Sequence, residues 1–184
     1  MPFNVPFVAA ISIAAATILS TKKAEATERR VREGAGILAV PSIYDGLIKQ
    51  YSSTYSIDPK ILKAKIYWES NFNPRTVSPA GAKGLAQMMS LTWNAVWKDI
   101  IKQPIQDMFN PEASIHAAAA YFRYLLNKFD NNYSYSMMAY NLGETTVRNA
   151  ILRYKTPELV IGSFPYETRA YMYGIGTLYK SVKV

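Results

Sequence analysis

The sequence predicts a mostly α-helical domain with an N-terminal hydrophobic segment. Apolar residues recur at helical spacing through most of the 184 residues, and no stretch keeps the alternation of a β-strand. Two helix starts combine a capping residue with proline. With 49% hydrophobic and 18% charged residues, a chain of this length can form one domain with its own core.

Residues 1–26 are predicted to be a signal or membrane-associated segment. Their apolar part, residues 5–19, is shorter than the roughly 20 residues of a membrane-spanning helix. It fits the apolar part of a secretory signal, and Ala24-Glu25-Ala26 has the form of a cleavage site. Basic residues follow this stretch instead of preceding it, which favours a retained anchor or a membrane-active segment of a virion protein. A plain buried helix is the remaining alternative.

A charged linker over residues 27–41 leads into the main domain, residues 42–184. Asp58 before Pro59 and Asn110 before Pro111 mark two helix starts, since an Asp or Asn side chain caps a helix and proline suits its first position. Gly143 marks a helix end. We predict helices over residues 43–55, 59–73, 91–101, 111–129, 135–141, 146–154 and 166–179.

Composition excludes several classes of site. The chain has no cysteine, which rules out disulfides, thiolate metal sites and a cysteine nucleophile. His116 is the sole histidine and has no partner at metal-ligand spacing, so we expect no metal and no cofactor. The net charge of +8 attracts anionic surroundings, but the charges are scattered, and we expect no specific binding of nucleic acid.

Glu69 is the candidate catalytic residue. It lies near the end of a predicted helix, between Trp68 and Phe72, and a loop of small residues follows it. A general acid must hold its proton at neutral pH, and apolar neighbours and the negative end of a helix both favour the neutral carboxyl group. Taken alone, a glutamate at this position is more often a solvated surface group.

Four motifs occur in order along the chain, and together they carry more information than each does alone. They are Glu69-Ser70 with Asn73-Pro74; Ser78 with Gly81-Ala82, Gly84-Leu85, Gln87 and Met89; Ala139-Tyr140-Asn141-Leu142-Gly143; and Glu167-Thr168 with Tyr171. This series resembles the soluble lytic transglycosylase (SLT) family over residues 57–179. The resemblance implies a lysozyme-like (goose-type) helical fold and makes residues 42–184 a lytic transglycosylase catalytic domain.

The resemblance also implies a reaction. Glu69 would protonate the β-1,4 bond between N-acetylmuramic acid and N-acetylglucosamine, and the substrate's own N-acetyl group would stabilise the cation. The same glutamate would then act as base on the O6 hydroxyl and leave a 1,6-anhydro end. Most glycosidases use two carboxylates, and the sequence offers no convincing second one.

Matching positions suggest three substrate-binding residues in the loop after Glu69. Ser78 corresponds to a serine that reaches the N-acetyl group or the acid, and Gln87 and Met89 to residues of the sugar cleft. A turn residue is the alternative for Ser78, and pairing with the backbone is the alternative for Gln87. The chain departs from the family at Ala86, usually Met, and at Ser90, often Pro.

Three further substrate-binding candidates come later in the chain. Tyr140 corresponds to a tyrosine near the N-acetyl oxygen, with core packing as the alternative. Asn141 is expected to brace the site. Glu167 is expected to contact substrate or hold the cleft wall, with a structural ion pair as the alternative.

The expected partner is the peptidoglycan glycan strand, and the expected location is the periplasm or cell envelope, or a virion. Membrane association through residues 5–19, and a secretion machine or phage particle as assembly, are further expectations. The rival functions are a hydrolytic lysozyme, a non-catalytic wall-binding or virion structural protein that keeps the fold, and a membrane-inserting factor.

Overall fold

A computed structural model describes residues 40–184, and in this range the chain is built from helices. They are α1 (Asp45–Thr54), α2 (Pro59–Ser70), α3 (Ser90–Ala95) continued by a π-helical turn (Val96–Ile101), α4 (Pro111–Lys128), α5 (Tyr133–Leu142), α6 (Glu144–Tyr154), α7 (Pro157–Gly162) and α8 (Tyr166–Ser181). Strand-like pairing in this range is confined to the bridges Val77–Lys83 and Lys83–Met88. The prediction of a mostly α-helical domain is confirmed.

The predictions for residues 1–26 and for nearly all of the linker 27–41 lie outside the described residues. Between residues 40 and 184, no helix has both the length and the apolar character that crossing a bilayer requires.

The predicted helix starts at Asp58 and Asn110 are confirmed by their side-chain caps. Asp58 Oδ1 accepts a hydrogen bond of 2.8 Å from the N–H of Lys60, and Asn110 Oδ1 accepts one of 2.9 Å from Ala113. In both helices proline occupies the first turn, where its missing N–H has no helical partner to lose. Local sequence therefore fixes where α2 and α4 begin.

The largest differences from the predicted helices are the early end of α2 and the presence of α7; other ends differ by a few residues. Helix α2 ends at Ser70, before the predicted stop at Pro74, because Asn71 and Phe72 both take left-handed backbone angles, with φ of 52° and 60°. Helix α7 was not predicted, although Thr156 caps it and Pro157 follows. This is the same start signal as at Asp58, over a helix of one and a half turns.

Helix α2 packs against α1, α4 and α8, and this packing places the end of α2. The buried Ile115, Phe122 and Leu126 of α4 form the centre of the core. Gly174 of α8 faces the ring of Trp68, and a Cβ atom at position 174 would overlap that ring. Glycine therefore allows α8 to lie close against the last turns of α2.

Candidate active site

Glu69 lies in the last turn of α2 and reaches both solvent and the core. Its side chain is 16% exposed, and its Oε1 atom accepts two hydrogen bonds. The hydroxyl of Tyr171, on α8, donates one of 3.0 Å. The Nζ of Lys65, one turn earlier on α2, donates the other at 3.3 Å. The carboxyl group is thus fixed from two helices while part of it remains accessible.

Lys65 is the most unusual member of this cluster, because its side chain is fully buried. Its Nζ lies 3.0 Å from the ring centroid of Tyr140, a cation–π arrangement. Burial lowers the pKa of Lys65 from 10.5 to about 8, since the ammonium loses its hydration, and the charge of Glu69 offsets only part of that effect. Desolvation is therefore the larger influence on this lysine.

Tyr140 contacts Lys65, Tyr171 contacts Glu69, and both phenols are neutral. Burial, and secondarily the charge of Glu69, raises the pKa of each phenol well above 10. Both hydroxyls consequently stay protonated and act as donors at neutral pH. The Tyr140 hydroxyl donates to the carbonyl oxygen of Ala86 at 3.2 Å, which ties the cluster to the loop after α2.

The loop between α2 and α3, residues 71–89, is held by backbone-directed hydrogen bonds. The amide of Gln87 donates to the carbonyl oxygens of Thr76, at 3.1 Å, and Gly84, at 2.8 Å. The N–H of Ala86 donates to Oγ of Ser114 on α4, at 3.0 Å. Gly84 has a φ of +72°, and a Cβ there would meet the carbonyl group of Met108. This irregular segment is therefore fixed at several points beside Glu69.

The three predicted substrate-binding residues of the loop have the following positions and contacts. Ser78 is buried, and its Oγ accepts a hydrogen bond of 3.0 Å from the N–H of Ala82, as a turn residue does. Gln87 pairs with backbone, as its alternative interpretation foresaw. Met89 is half-buried at the N-cap of α3. Their contacts with a sugar stay predictions.

The later candidates lie on α5 and α8. Tyr140 is linked to Glu69 by Lys65, whose Nζ lies over the Tyr140 ring and donates to Glu69 Oε1. Asn141 follows it on α5 and is exposed. Glu167 is half-buried in the first turn of α8. It precedes Tyr171 by four residues, so the two share a helix face. Contacts of Asn141 and Glu167 with substrate stay predictions.

Sequence reasoning missed Lys65 entirely and gave Tyr171 no role. The available signal for Lys65 was its spacing of four residues from Glu69 on a predicted helix, where side chains meet. For Tyr171 the signal was its place in the last motif. Ser114 gave no signal, because its role depends on how α4 meets the loop.

Ala86 and Ser90, the two departures from the family pattern, occupy positions that accept these residues. Ala86 is fully buried and is held through its backbone N–H and carbonyl oxygen. Ser90 is the first residue of α3, a position that also suits proline.

Three other carboxylates of the described region have structural partners away from Glu69. Asp45 forms an ion pair with Lys63 at 2.5 Å, and Glu144 forms one with Arg148 at 2.8 Å. Glu112 accepts a hydrogen bond of 2.9 Å from Tyr51. These contacts give those three groups structural roles, whereas Glu69 is partly exposed and lies beside the loop.

A helical domain that holds the partly buried Glu69 beside an irregular loop has the arrangement expected of a lysozyme-like fold. The family model described as "Transglycosylase SLT domain" matches residues 46–159. The chain belongs to this family. The match ends before α8, so Glu167 and Tyr171 lie outside it.

Named relatives agree with that assignment. The peptidoglycan transglycosylase gp16 of Escherichia phage T7 is 34% identical over 110 residues, covering 60% of this chain and 8% of that protein. The soluble lytic murein transglycosylase of Escherichia coli K12 is 35% identical over 112 residues, covering 59% of this chain and 17% of that protein. The chain thus spans a small part of the length of these relatives.

A solved structure shows the same fold. The crystal structure of the 70 kDa soluble lytic transglycosylase from Escherichia coli matches with a TM-score of 0.73 and 24% identity, over 91% of this chain and 29% of that one. This likeness extends the shared fold beyond the residues that the family model matches.

Proposed function

We propose that this protein is a peptidoglycan lytic transglycosylase. It cleaves the β-1,4 bond between N-acetylmuramic acid and N-acetylglucosamine, leaves 1,6-anhydro ends and so opens the cell wall locally. Family membership and the named activities of the phage T7 and Escherichia coli relatives support this proposal.

Glu69 carries the proposed chemistry. Its carboxylic acid donates a proton to the glycosidic oxygen, and the C–O bond breaks as the substrate's N-acetyl group stabilises the positive charge. The carboxylate then takes the proton of the O6 hydroxyl as O6 closes on the anomeric carbon. No water is consumed, and the carboxyl group returns to its starting state.

The observation that carries the proposal is the setting of Glu69. It is partly exposed at the end of α2, it is fixed by Tyr171 and Lys65, and the loop 71–89 begins two residues later. A carboxyl group held in one orientation beside a loop fixed to α4 and α5 is suited to proton transfer, because general acid catalysis needs a positioned donor.

The substrate-binding assignments form part of the proposal. Ser78, Gln87 and Met89 belong to the loop side of the glycan site, and Tyr140 and Asn141 to the α5 side. Glu167 completes it from α8. Substituting each with alanine is expected to raise KM more than it lowers kcat, with intact folding checked by circular dichroism.

Digestion of purified sacculi tests the activity. We expect anhydro-muropeptides, identified by mass, and a loss of at least about 100-fold in their release with Glu69→Gln. Glu158→Gln, an exposed glutamate in the first turn of α7, is the matched control and should retain full release. Full activity of Glu69→Gln would refute the assigned role.

The same digestion separates the rival functions. Reducing ends that carry added water identify a hydrolytic lysozyme. Binding to sacculi without release of any muropeptide identifies a wall-binding or virion structural protein.

We also propose that the protein acts outside the cytoplasm, in the cell envelope or as part of a virion. Its assembly partner would be a secretion machine or a phage particle, and residues 5–19 would mediate membrane association. Flotation with liposomes, comparing the full chain with one that lacks residues 5–19, tests the last point. Equal flotation of both would contradict it.

A further inference from the structure

The partner of Glu69 is a lysine that water does not reach. Most Lys–Glu pairs four residues apart lie on helix surfaces, where both charges stay hydrated. Lys65 is instead fully buried, while Glu69 keeps 16% of its side chain exposed. The pair is therefore asymmetric: the base of the pair is inside the protein and the acid faces the site.

We propose that Lys65 is a positioning residue that supplies the proton Glu69 donates, so that the two side chains share one proton during the reaction. This inference rests on the proposed transglycosylase function and adds a residue to its machinery.

The geometry permits direct transfer between the two side chains. Lys65 Nζ and Glu69 Oε1 are 3.3 Å apart and belong to one helix, so their separation does not depend on how helices align. The ring of Tyr140 covers Nζ from α5, and the Tyr171 hydroxyl holds Oε1 from α8. Water is thereby kept from the amine, while the carboxyl group keeps its opening toward the loop.

The proton balance closes within the pair and the substrate. In the free protein the pair is an ammonium and a carboxylate. A bound glycan covers Glu69 and removes its remaining hydration, which favours the neutral amine and carboxylic acid over two buried charges. Nζ thus passes one proton to the carboxylate, which gives it to the glycosidic oxygen.

The second half of the reaction restores the pair. Glu69 recovers a proton from the O6 hydroxyl while Lys65 remains a neutral amine. When product leaves and water returns, the proton goes back from the carboxyl group to Nζ. No external acid, base or cofactor enters the cycle.

The titratable groups facing Lys65 are Glu69 on its own helix and Tyr140 on α5, with Tyr171 on α8 across the carboxylate. Tyr121 on α4 lies behind Tyr140, with ring centroids 5.1 Å apart. Burial raises the pKa of all three phenols above 10, so they stay neutral. Burial lowers the pKa of Lys65 to about 8, near enough to neutrality for a proton to leave it.

The pH profile of kcat/KM for anhydro-muropeptide release tests the proposal. In the native protein we expect activity to fall above about pH 8, where the pair loses its shared proton. In Lys65→Met, Glu69 has no neighbour to supply its proton. The alkaline limit, the pH above which kcat/KM falls, should therefore move down by at least about one pH unit, or tenfold in proton concentration. An unchanged limit would indicate a structural role, and a raised limit would mean that Lys65 only keeps Glu69 ionised; either result overturns the proposal.

Lys63→Met is the matched control. Lys63 is a second buried lysine of α2, paired with Asp45 and donating to the carbonyl oxygen of Lys183 at 2.7 Å. Its loss removes a partly buried ion pair but should leave the alkaline limit of kcat/KM unchanged. If Lys63→Met lowered the alkaline limit of kcat/KM as much as Lys65→Met does, the effect would come from loss of any buried lysine of α2. That result would overturn the proposal.

A direct titration tests the proposal without substituting Lys65. The native protein with labelled lysine is titrated by NMR at Lys65, where we expect a midpoint near pH 8. In Glu69→Gln the midpoint should fall further, because the carboxylate is the group that raises it. A Lys65 midpoint above pH 10 would overturn the proposal.

The outcomes also separate this inference from the proposed function. If Glu69→Gln keeps its activity, the proposed function fails. If Glu69→Gln is inactive while Lys65→Met keeps the native pH profile, the function stands and only the role of Lys65 fails.

Discussion

Tyr171 and Glu69 are 102 residues apart in sequence, and a 3.0 Å hydrogen bond from the phenol to Oε1 joins them. Helix α8 therefore belongs to the candidate site although the family model ends before it. The bond places a neutral, buried donor on the carboxyl group proposed to transfer the proton.

Tyr171→Phe should reduce turnover without unfolding the protein. A hydrogen bond to a charged group contributes about 1.5–3 kcal/mol, so we expect kcat to fall roughly 10- to 100-fold while KM changes little. Release of anhydro-muropeptides from sacculi measures both constants. Tyr173→Phe, at an exposed tyrosine of the same helix, is the control and should keep native kinetics. A native kcat for Tyr171→Phe would show that the bond does not contribute.

Gly174→Ala should destabilise the protein and impair catalysis together. Its Cβ overlaps the ring of Trp68, which must move and push α8 away from α2. We expect a loss of about 1–3 kcal/mol in the free energy of unfolding, measured by chemical denaturation, and a lower kcat.

Gly176→Ala on the same helix is the control for that substitution. A Cβ at position 176 meets nothing within 4 Å. Because alanine is the better helix former, this variant should be more stable by up to about 1 kcal/mol. Equal effects of the two substitutions would contradict the close approach of α8 to α2.

The buried ammonium of Lys65 should make stability depend on pH. Its pKa falls from 10.5 to about 8 on folding, which corresponds to a cost of about 3 kcal/mol below pH 8. Between pH 8 and 10.5 the unfolded chain binds more protons at this site than the folded chain, so the cost disappears as pH rises through that window.

Lys65→Met tests this dependence. Because it removes the cost of the buried ammonium, we expect it to raise the free energy of unfolding at pH 7 by roughly 1–3 kcal/mol, and the difference from the native protein should shrink by pH 10. Denaturation in guanidinium at both values measures it. A difference that stays constant or grows with pH would contradict the assigned burial.

Ser114→Ala should loosen the loop 71–89. The substitution leaves the N–H of Ala86 buried without its acceptor, at a cost of about 1–3 kcal/mol. We expect a lower melting temperature and faster amide exchange at residue 86. The control is Ser53→Ala on the exposed surface of α1, which should change neither. Unchanged exchange at residue 86 would show that this hydrogen bond does not restrain the loop.

Local signals predicted much of the fold and part of the site. Caps such as Asp58 and Asn110 act within three residues of themselves, so the sequence alone located the starts of α2 and α4. The prediction that Glu69 ends a helix beside a small-residue loop held for the same reason. The stop of α2 was misplaced, because the left-handed angles of Asn71 and Phe72 depend on tertiary packing, which here overrides the preference for glycine.

The remaining parts of the site depend on contacts between helices. The burial of Lys65 requires Tyr140 from α5, and the bond to Glu69 requires Tyr171 from α8. Lysines in helices are mostly exposed, so the sequence around Lys65 favours a surface position instead of the buried one observed. Such partners become visible only once the helices are assembled.

Two main-chain atoms of Ala86 anchor the loop 71–89: its N–H donates to Ser114 Oγ, and its carbonyl oxygen accepts from the Tyr140 hydroxyl. On the loop itself these two bonds use only backbone atoms, so they do not depend on the loop's exposed side chains. Exposed positions such as Val77 and Pro79 can therefore drift, or be redesigned, without shifting the register of the segment relative to the acid. Under the proposed function, glycan preference and bond cleavage can in this way evolve as separate traits on one scaffold.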